Sequence, residues 1–272
     1  MSQLTALLTG AAGGLGSCTA RHLHGKGWRV FATDVDDRGL ARLEGIDGIT
    51  PLRMDVTDQA SITAAFCQVE GMTEGLDGLV NLAGIIAMGS VIEMDEATLV
   101  RVLNVNALGC YRVNRTFLPL VLRRKGRIVN ISSEVGWQRG APFNGAYGMS
   151  KHLIEAYSDS LRRELMLLGV RVITVQPGPM KTEMTRDLAA TMDQAIEGST
   201  YFKDVLTRMK GLVVREYGTA HDPSVVAQAV TKALTSERPR IYYSVRPPWQ
   251  RVLLERLPVR LADALMKRLL SG

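Results

Sequence analysis

The chain has 272 residues, 46% of them hydrophobic and 22% charged, an ordinary balance for a globular protein with a full core. Its formal net charge of +6 comes with no basic helix interleaved with aromatics, which argues against nucleic-acid binding. Cys18, Cys67 and Cys110 are few and lack metal-ligand spacing, and His22, His24, His152 and His221 form no ligand constellation, so a reducing compartment and no metal are expected.

No linker, low-complexity tract or repeat divides the chain, and residues 1–272 read as one domain. The opening MSQLTALLTG has no basic n-region, and its apolar run is too short for a secretory signal. No stretch approaches the roughly 18 apolar residues that span a bilayer. A cytoplasmic protein is expected.

The elements alternate. LTALLTG (4–10) is a short apolar run ending in a glycine-rich turn, and a helical pattern follows over about 15–26. WRVFATD (28–34) is a second strand, followed by a polar helix-like stretch. ITPLRMDVTD (49–58) is a third, with a capped helix after it. LDGLVNLAG (76–84) is a fourth, and a long helix runs from 95 to 124. GRIVNISS (126–133) precedes a helix over about 147–168. GVRVITVQPG (169–178) and RPRIYYSV (238–245) are the sixth and seventh strands. Near-continuous apolar strands have both sheet faces covered. Their alternation with helices predicts an α/β fold: one doubly wound parallel sheet of about seven strands, Rossmann-like, with ligand outside the carboxyl ends of the strands.

Polar and glycine-rich groups fall at those ends. TGAAGGLG (9–16) joins the first strand to the first helix. Gly10, Gly14 and Gly16, with Ala12 and Leu15 between them, allow a tight turn and close approach of a pyrophosphate to a helix N-terminus, although the strict GxGxxG spacing is absent. Asp34 ends the second strand near the offset at which an acid grips the adenosine ribose hydroxyls. A carboxylate there favours NAD and repels the 2′-phosphate of NADP; Asp36 and Asp37 deepen the negative field, and Arg38 is the nearby cation that opposes it.

Tyr147 and Lys151 sit one helical turn apart. A free phenol has a pKa near 10 and is a poor base at neutral pH. A cation about 5 Å away, at an effective dielectric near 20, favours phenolate by roughly 3 kcal/mol, or about two pKa units. The pair can therefore move a proton to or from an alcohol oxygen. Ser132 and Ser133 end the preceding strand, where a hydroxyl could hold that oxygen. Asn106 and Gly109 sit awkwardly inside the long helix, marking a held water, a kink or packing against a loop.

With these residues in view, the sequence resembles the short-chain dehydrogenase/reductase family. Residues 9–16 match its TGxxxGxG turn, and NLAG (81–84) its NNAG segment, with Leu82 replacing the second asparagine. VNALG (105–109), NISS (130–133), YGMSK (147–151) and PGPMKT (177–182) follow in family order, over about residues 4–245. The resemblance implies that Tyr147 is the acid/base, that Lys151 also binds the nicotinamide ribose, and that Ser133 polarises the substrate oxygen, with Ser132 the alternative. Asn106 would hold a water linking Lys151 to solvent. Asp55 and Val56 would flank the adenine, and Asn81, Ala83 and Gly84 would line the cofactor cleft. Pro177, Gly178, Met180 and Thr182 would seat the nicotinamide. A homodimer or homotetramer is implied as well.

Two further regions are less patterned. An insertion at about 183–215, rich in apolar side chains and methionine, reads as a cover over an apolar ligand or as plain packing. The extension 246–272 carries Leu257, Leu261, Leu265 and Leu269 at four-residue spacing among arginines, interrupted near Pro258. It reads as a basic amphipathic helix that packs on protein or lies on a membrane surface. With SKHLIEAYSDSLRREL (150–165), this tail is similar to the hydroxysteroid and retinol dehydrogenase branch. The expected activity is NAD-dependent interconversion of alcohol and carbonyl on a hydrophobic small molecule. A ketoacyl-thioester reductase and a catalytically silent NAD-binding sensor are the alternatives.

Overall fold

The computed structural model describes residues 3–271. From the N-terminus the elements are β1 (Thr5–Thr9), α1 (Gly14–His24), β2 (Arg29–Asp34), α2 (Asp37–Ala41), β3 (Ile49–Arg53), α3 (Gln59–Glu70) and β4 (Gly78–Asn81). Then come α4 (Glu96–Leu103), α5 (Gly109–Arg124), β5 (Arg127–Ile131), α6 (Gly145–Leu165), β6 (Arg171–Pro177), α7 (Glu183–Arg186), α8 (Leu188–Gly198) and α9 (Lys203–Gly218). α10 (Ser224–Thr235), β7 (Tyr242–Val245), α11 (Trp249–Glu255) and α12 (Val259–Ser271) complete the chain. The strands form one parallel sheet in the order β3-β2-β1-β4-β5-β6-β7, with helices on both faces. This is the doubly wound architecture that strand–helix alternation predicts.

Side chains alternate across a strand, so register sorts the core into two layers. Phe31, Leu7, Leu79, Ile128 and Val172 are cross-strand neighbours and face a layer containing Val113, Phe117 and Leu120 of α5. Ala32, Leu8, Val80, Val129 and Ile173 form the next row and face Ala20 and Leu23 of α1 and Val226 and Val230 of α10. One step further on, the row turns polar: Thr33, Thr9, Asn81, Asn130 and Thr174, all buried. The change falls at the carboxyl ends, beside the switch point between β1 and β4 where a ligand crevice opens.

The same polar groups shorten strands that sequence pattern extends. β4 stops at Asn81 because Thr9 Oγ1 accepts the amides of Leu82 and Ala83, both at 3.1 Å. β3 stops at Arg53 because Asp55 Oδ1 turns the chain at Thr57 N (2.8 Å) and Asp58 caps α3. The predicted long helix is broken between α4 and α5 by a π-helical turn, Asn104–Leu108. Asn106 leaves the helix pattern to bind the backbone of Ile85. Gly109 lets α5 approach β3's exit loop, since a Cβ there would meet Val56 Cγ2 at 2.8 Å.

The glycine turn is equally tight. Gly10 has φ +66°, and a Cβ on Gly16 would lie 2.0 Å from Gly10 O. Gly16→Ala is therefore expected to lower stability by about 1–3 kcal/mol, as overpacking does, measured as the urea midpoint. An unchanged midpoint would show that the turn has room to spare.

Candidate active site

The carboxyl ends converge on a cleft of about 470 Å³, within the range of small-molecule sites. The turn after β1 contributes Gly10, Ala12, Gly14, Leu15 and Gly16; β2 contributes Asp34; the loop after β3 contributes Asp55 and Val56. Ala83 and Gly84 follow β4, Ser132 and Ser133 follow β5, and Tyr147 and Lys151 face in from α6. Pro177, Gly178, Met180 and Thr182 close the side beyond β6. Two expected site residues lie behind this wall. Asn81 turns into the buried polar layer and donates to Asn114 Oδ1 at 2.7 Å and Asn130 Oδ1 at 2.9 Å. It supports the cleft without lining it.

Asn106 is also buried. Its Oδ1 accepts from Ile85 N at 2.8 Å, while Nδ2 donates to Ile85 O and Ser150 Oγ, each at 2.9 Å. It ties the loop after β4 to α6. Its Oδ1 and Lys151 Nζ flank one spot, 3.4 and 3.8 Å from where a Cβ on Gly84 would sit.

The helical spacing places Lys151 Nζ 5.5 Å from the Tyr147 ring centroid. Nζ donates to Ile131 O, the last carbonyl of β5, at 3.0 Å. The two serines separate in role. Ser133 lies beside the Tyr147 hydroxyl and acts to lower its pKa while its Oγ donates to Pro177 O at 3.4 Å, whereas Ser132 Oγ donates to Lys151 O at 3.4 Å. Ser133 is thus the hydroxyl that faces the phenol.

Residues 4–193 match the family model described as short chain dehydrogenase. The chain belongs to the short-chain dehydrogenase family. Retinol dehydrogenase 7 of Rattus norvegicus is 38% identical over 254 residues, covering 87% of this chain and 78% of that protein. The 17-beta-hydroxysteroid dehydrogenase type 6 of Homo sapiens is 35% identical over 288 residues, covering 96% and 87%. Among solved structures, a short-chain dehydrogenase from Streptomyces avermitilis superposes with a TM-score of 0.80 at 24% identity, covering 100% of this chain and 98% of that one. One from Burkholderia cenocepacia, in complex with NADP, gives 0.76 at 24% identity, covering 100% and 99%. At those identities the structures speak for the fold alone. This short-chain dehydrogenase is an oxidoreductase that interconverts alcohol and carbonyl groups with a nicotinamide cofactor.

The residues present fit such a cofactor. No side chain caps α1, and its first turn holds no acid, so its leading amides and positive dipole end suit a phosphate. Asp34 is fixed for a ribose: Oδ2 accepts from Ala12 N at 2.9 Å and Oδ1 from Asp36 N at 3.0 Å. Glu183 Oε2 is buried without a hydrogen-bond partner and lies 2.6 Å from where a Cβ on Gly14 would be. An orphaned acceptor there suits a hydroxyl or amide of the ligand rather than its phosphate, which it would repel.

The electrostatics differ from the sequence expectation. Burial pushes the Tyr147 phenol above its ordinary range, Tyr217 and Glu134 push the same way, and Ser133 opposes them. Lys151 is at the anticipated distance, but burial lowers its own pKa to about 8, with Cys110 and Glu155 pulling it back up. Desolvation thus outweighs the pairwise attraction.

Sequence reasoning missed Arg42, Glu134, Glu183 and Tyr217, all of which line the cleft. Glu134 directly follows a recognised serine, and an acid at the end of a buried strand was a readable sign. Tyr217 arrives on α9 and Arg42 follows α2, and neither carries a local signature. Arg42 Nη2 donates to Ala12 O at 3.0 Å, closer to the glycine turn than the exposed Arg38.

The Lys151 shift makes a stability prediction. A lysine with a depressed folded pKa binds fewer protons folded than unfolded between about pH 8 and 10.5, so its contribution to stability rises with pH across that window. Relative to wild type, Lys151→Met is expected to remove that rise in urea midpoints. Parallel curves for the two proteins would show that the amine is not desolvated.

Proposed function

We propose that this short-chain dehydrogenase uses NAD(H) to interconvert an alcohol and a carbonyl on a hydrophobic small molecule of steroid or retinoid type, with Tyr147 as acid/base. The observation that carries this reading is the shared cleft: Asp34, held by two backbone amides, opens onto the same cavity as Ser133, Tyr147 and Lys151. A carboxylate in that place accepts ribose hydroxyls and repels a 2′-phosphate. Arg42 is the arginine that lines the cleft, and its guanidinium is already engaged by Ala12 O and Gly39 O.

The bound nicotinamide supplies or accepts the hydride. The chain's residues handle the substrate oxygen. Ser133 and Tyr147 stand together on the cleft wall, so a substrate oxygen placed between their hydroxyls can take a hydrogen bond from each. In reduction Tyr147 donates its proton to the developing alkoxide; in oxidation it takes the alcohol proton back. A phenol held above its ordinary pKa is a ready donor at neutral pH. Oxidation gains as pH rises, because phenolate becomes populated. Lys151 adds positive charge beneath the ring. Ile85, Ile86, Val135, Met184 and Leu188 give the substrate side an apolar lining, matching a lipophilic ligand. The named relatives' retinol and hydroxysteroid activities support that class.

The tail supports a partner of its own. α11 and α12 bury no residue. Leu261, Leu265 and Leu269 are exposed on α12 among Arg260, Lys267 and Arg268. This pattern fits peripheral docking on an anionic lipid surface. No helix among the described residues is long and apolar enough to cross a membrane.

Two measurements test these readings. Tyr147→Phe is expected to lower kcat by about 10²–10⁴-fold while leaving dinucleotide binding measurable, and Asp34→Ala to weaken NAD by about 1.5–3 kcal/mol with a relative gain for NADP. Substantial turnover in the first variant, or equal loss of both cofactors in the second, would count against the assignment. Co-sedimentation with anionic vesicles is expected for wild type and lost on Leu261→Asp/Leu265→Asp; no pelleting of wild type would sink the lipid reading.

A further inference from the structure

Glu134 lines the cleft without a role in the family reading, and it lies next to Ser133. Its side chain is only 4% exposed, and its Oε1 receives Arg251 Nη1 of α11 at 3.0 Å. A buried carboxylate needs such a partner. The same loop is fastened a second time. Arg139 N donates to Glu255 Oε1 at 2.9 Å, and the Arg139 guanidinium donates to the carbonyls of Leu254, Glu255 and Leu257 at 3.0–3.3 Å. Those carbonyls lie at the end of α11, where helix acceptors lack partners. The segment also braces the loop beyond β6. Gly178 N donates to Val245 O at 2.8 Å, and a Cβ on Gly178 would meet Arg246 O at 2.2 Å. Arg246 itself holds a left-handed φ of +54°, a conformation non-glycine residues adopt only when held. Since α11 buries no residue of its own, polar ties rather than apolar burial dock it.

We propose that the segment from Arg246 to Leu257 is part of the active site, and that Arg251 is a positioning residue that holds Glu134, and with it Ser133, against Tyr147. This rests on Tyr147 being the proton-transfer group. Around the pair, Tyr147 and Lys151 face in from α6 and Tyr217 from α9. Glu155 of α6 packs against Gly136 and accepts from Gln176 Nε2 at 3.0 Å. Glu134 is an acid that acts on the phenol, and Arg251 is a cation paired with it.

Opposite changes follow from opposite deletions. Arg251→Met removes positive charge from beside Glu134 and leaves the field at the phenol more negative, so the acid limb of kcat/KM for alcohol oxidation moves to higher pH, by on the order of one unit. Glu134→Gln leaves the cation and moves the limb down. The double variant returns towards wild type, and Arg251→Lys recovers most of the loss. Hydrogen exchange on the full chain is the second readout. Arg251→Met is expected to raise exchange across 133–140 and 249–257, with the central strands unchanged. Limbs that stay in place, or move the same way in both single variants, would overturn the proposal, as would unaltered exchange. If Arg251→Met does not fold, the Glu134→Gln shift decides alone. Absence of wild-type turnover on any alcohol would refute the functional reading instead, while the exchange result would still decide the clasp.

Discussion

Lys151 carries a charged amine into a place where water scarcely reaches, and much of the site is arranged around that fact. The residue is 4% exposed, and its ammonium holds one backbone carbonyl, Ile131 O. Burying a cation is costly unless neighbours answer it, and here they answer only in part, so its pKa falls to about 8. The hydrogen bond joins the end of β5 to α6, and thereby places Ser133 opposite Tyr147. A lysine one residue earlier or later would be turned by about 100° around α6 and point away from both.

The layer beneath Lys151 is polar for the same reason. Asn81, Asn114 and Asn130 bind one another, and Asn130 also donates to Ser158 Oγ at 2.9 Å. Cys110 Sγ donates to Asn130 Oδ1 at 3.3 Å, and burial pushes its thiol up to about 12, so it stays neutral below the amine. Apart from Asn81 Oδ1, which is buried without a partner, the network is satisfied, and it is rigid because each lost bond strands a polar group. Rigid support is what the proposed proton transfer at Tyr147 requires. The cleft cover is fixed differently. Phe143 sits at φ +61°, pinned by Gly89 N bonding its carbonyl at 2.8 Å and by edge contact with Phe202 at 5.4 Å. Glu93 accepts the amides of Thr200 and Tyr201, both at 2.7 Å, and anchors the start of α9 to the loop before α4. The insertion that reads as a cover is therefore three helices pinned by polar contacts and aromatic packing.

Much of this was legible. Parallel strands buried on both faces advertise themselves as apolar runs, and the doubly wound topology then puts their ends in one crevice. Gly10 to Gly16, Asp34, Ser133, Tyr147 and Lys151 were each readable, because each depends on a short-range pattern: a turn, a strand end, one helical turn. Asn106 was readable only as an anomaly. Its partners at Ile85 and Ser150 lie 21 and 44 residues away, and no local pattern names them. Asn81 was misplaced for a related reason: strand alternation says which face it takes, but not that Asn114 waits there.

Sequence alone determined the order of strands and helices, the positions of the glycine turn and of the acid after β2, and the tyrosine–lysine spacing, since all are set by backbone geometry over a few residues. Tertiary structure alone decided the strength of the charges and the company they keep. The phenol is raised rather than lowered because desolvation depends on everything packed around it. Tyr217 reaches the cleft, and Arg251 reaches Glu134 on its wall, from distant parts of the chain, across separations that carry no periodic signal. Proton affinity in a buried site is a property of the whole enclosure, and the enclosure exists only once the chain has folded.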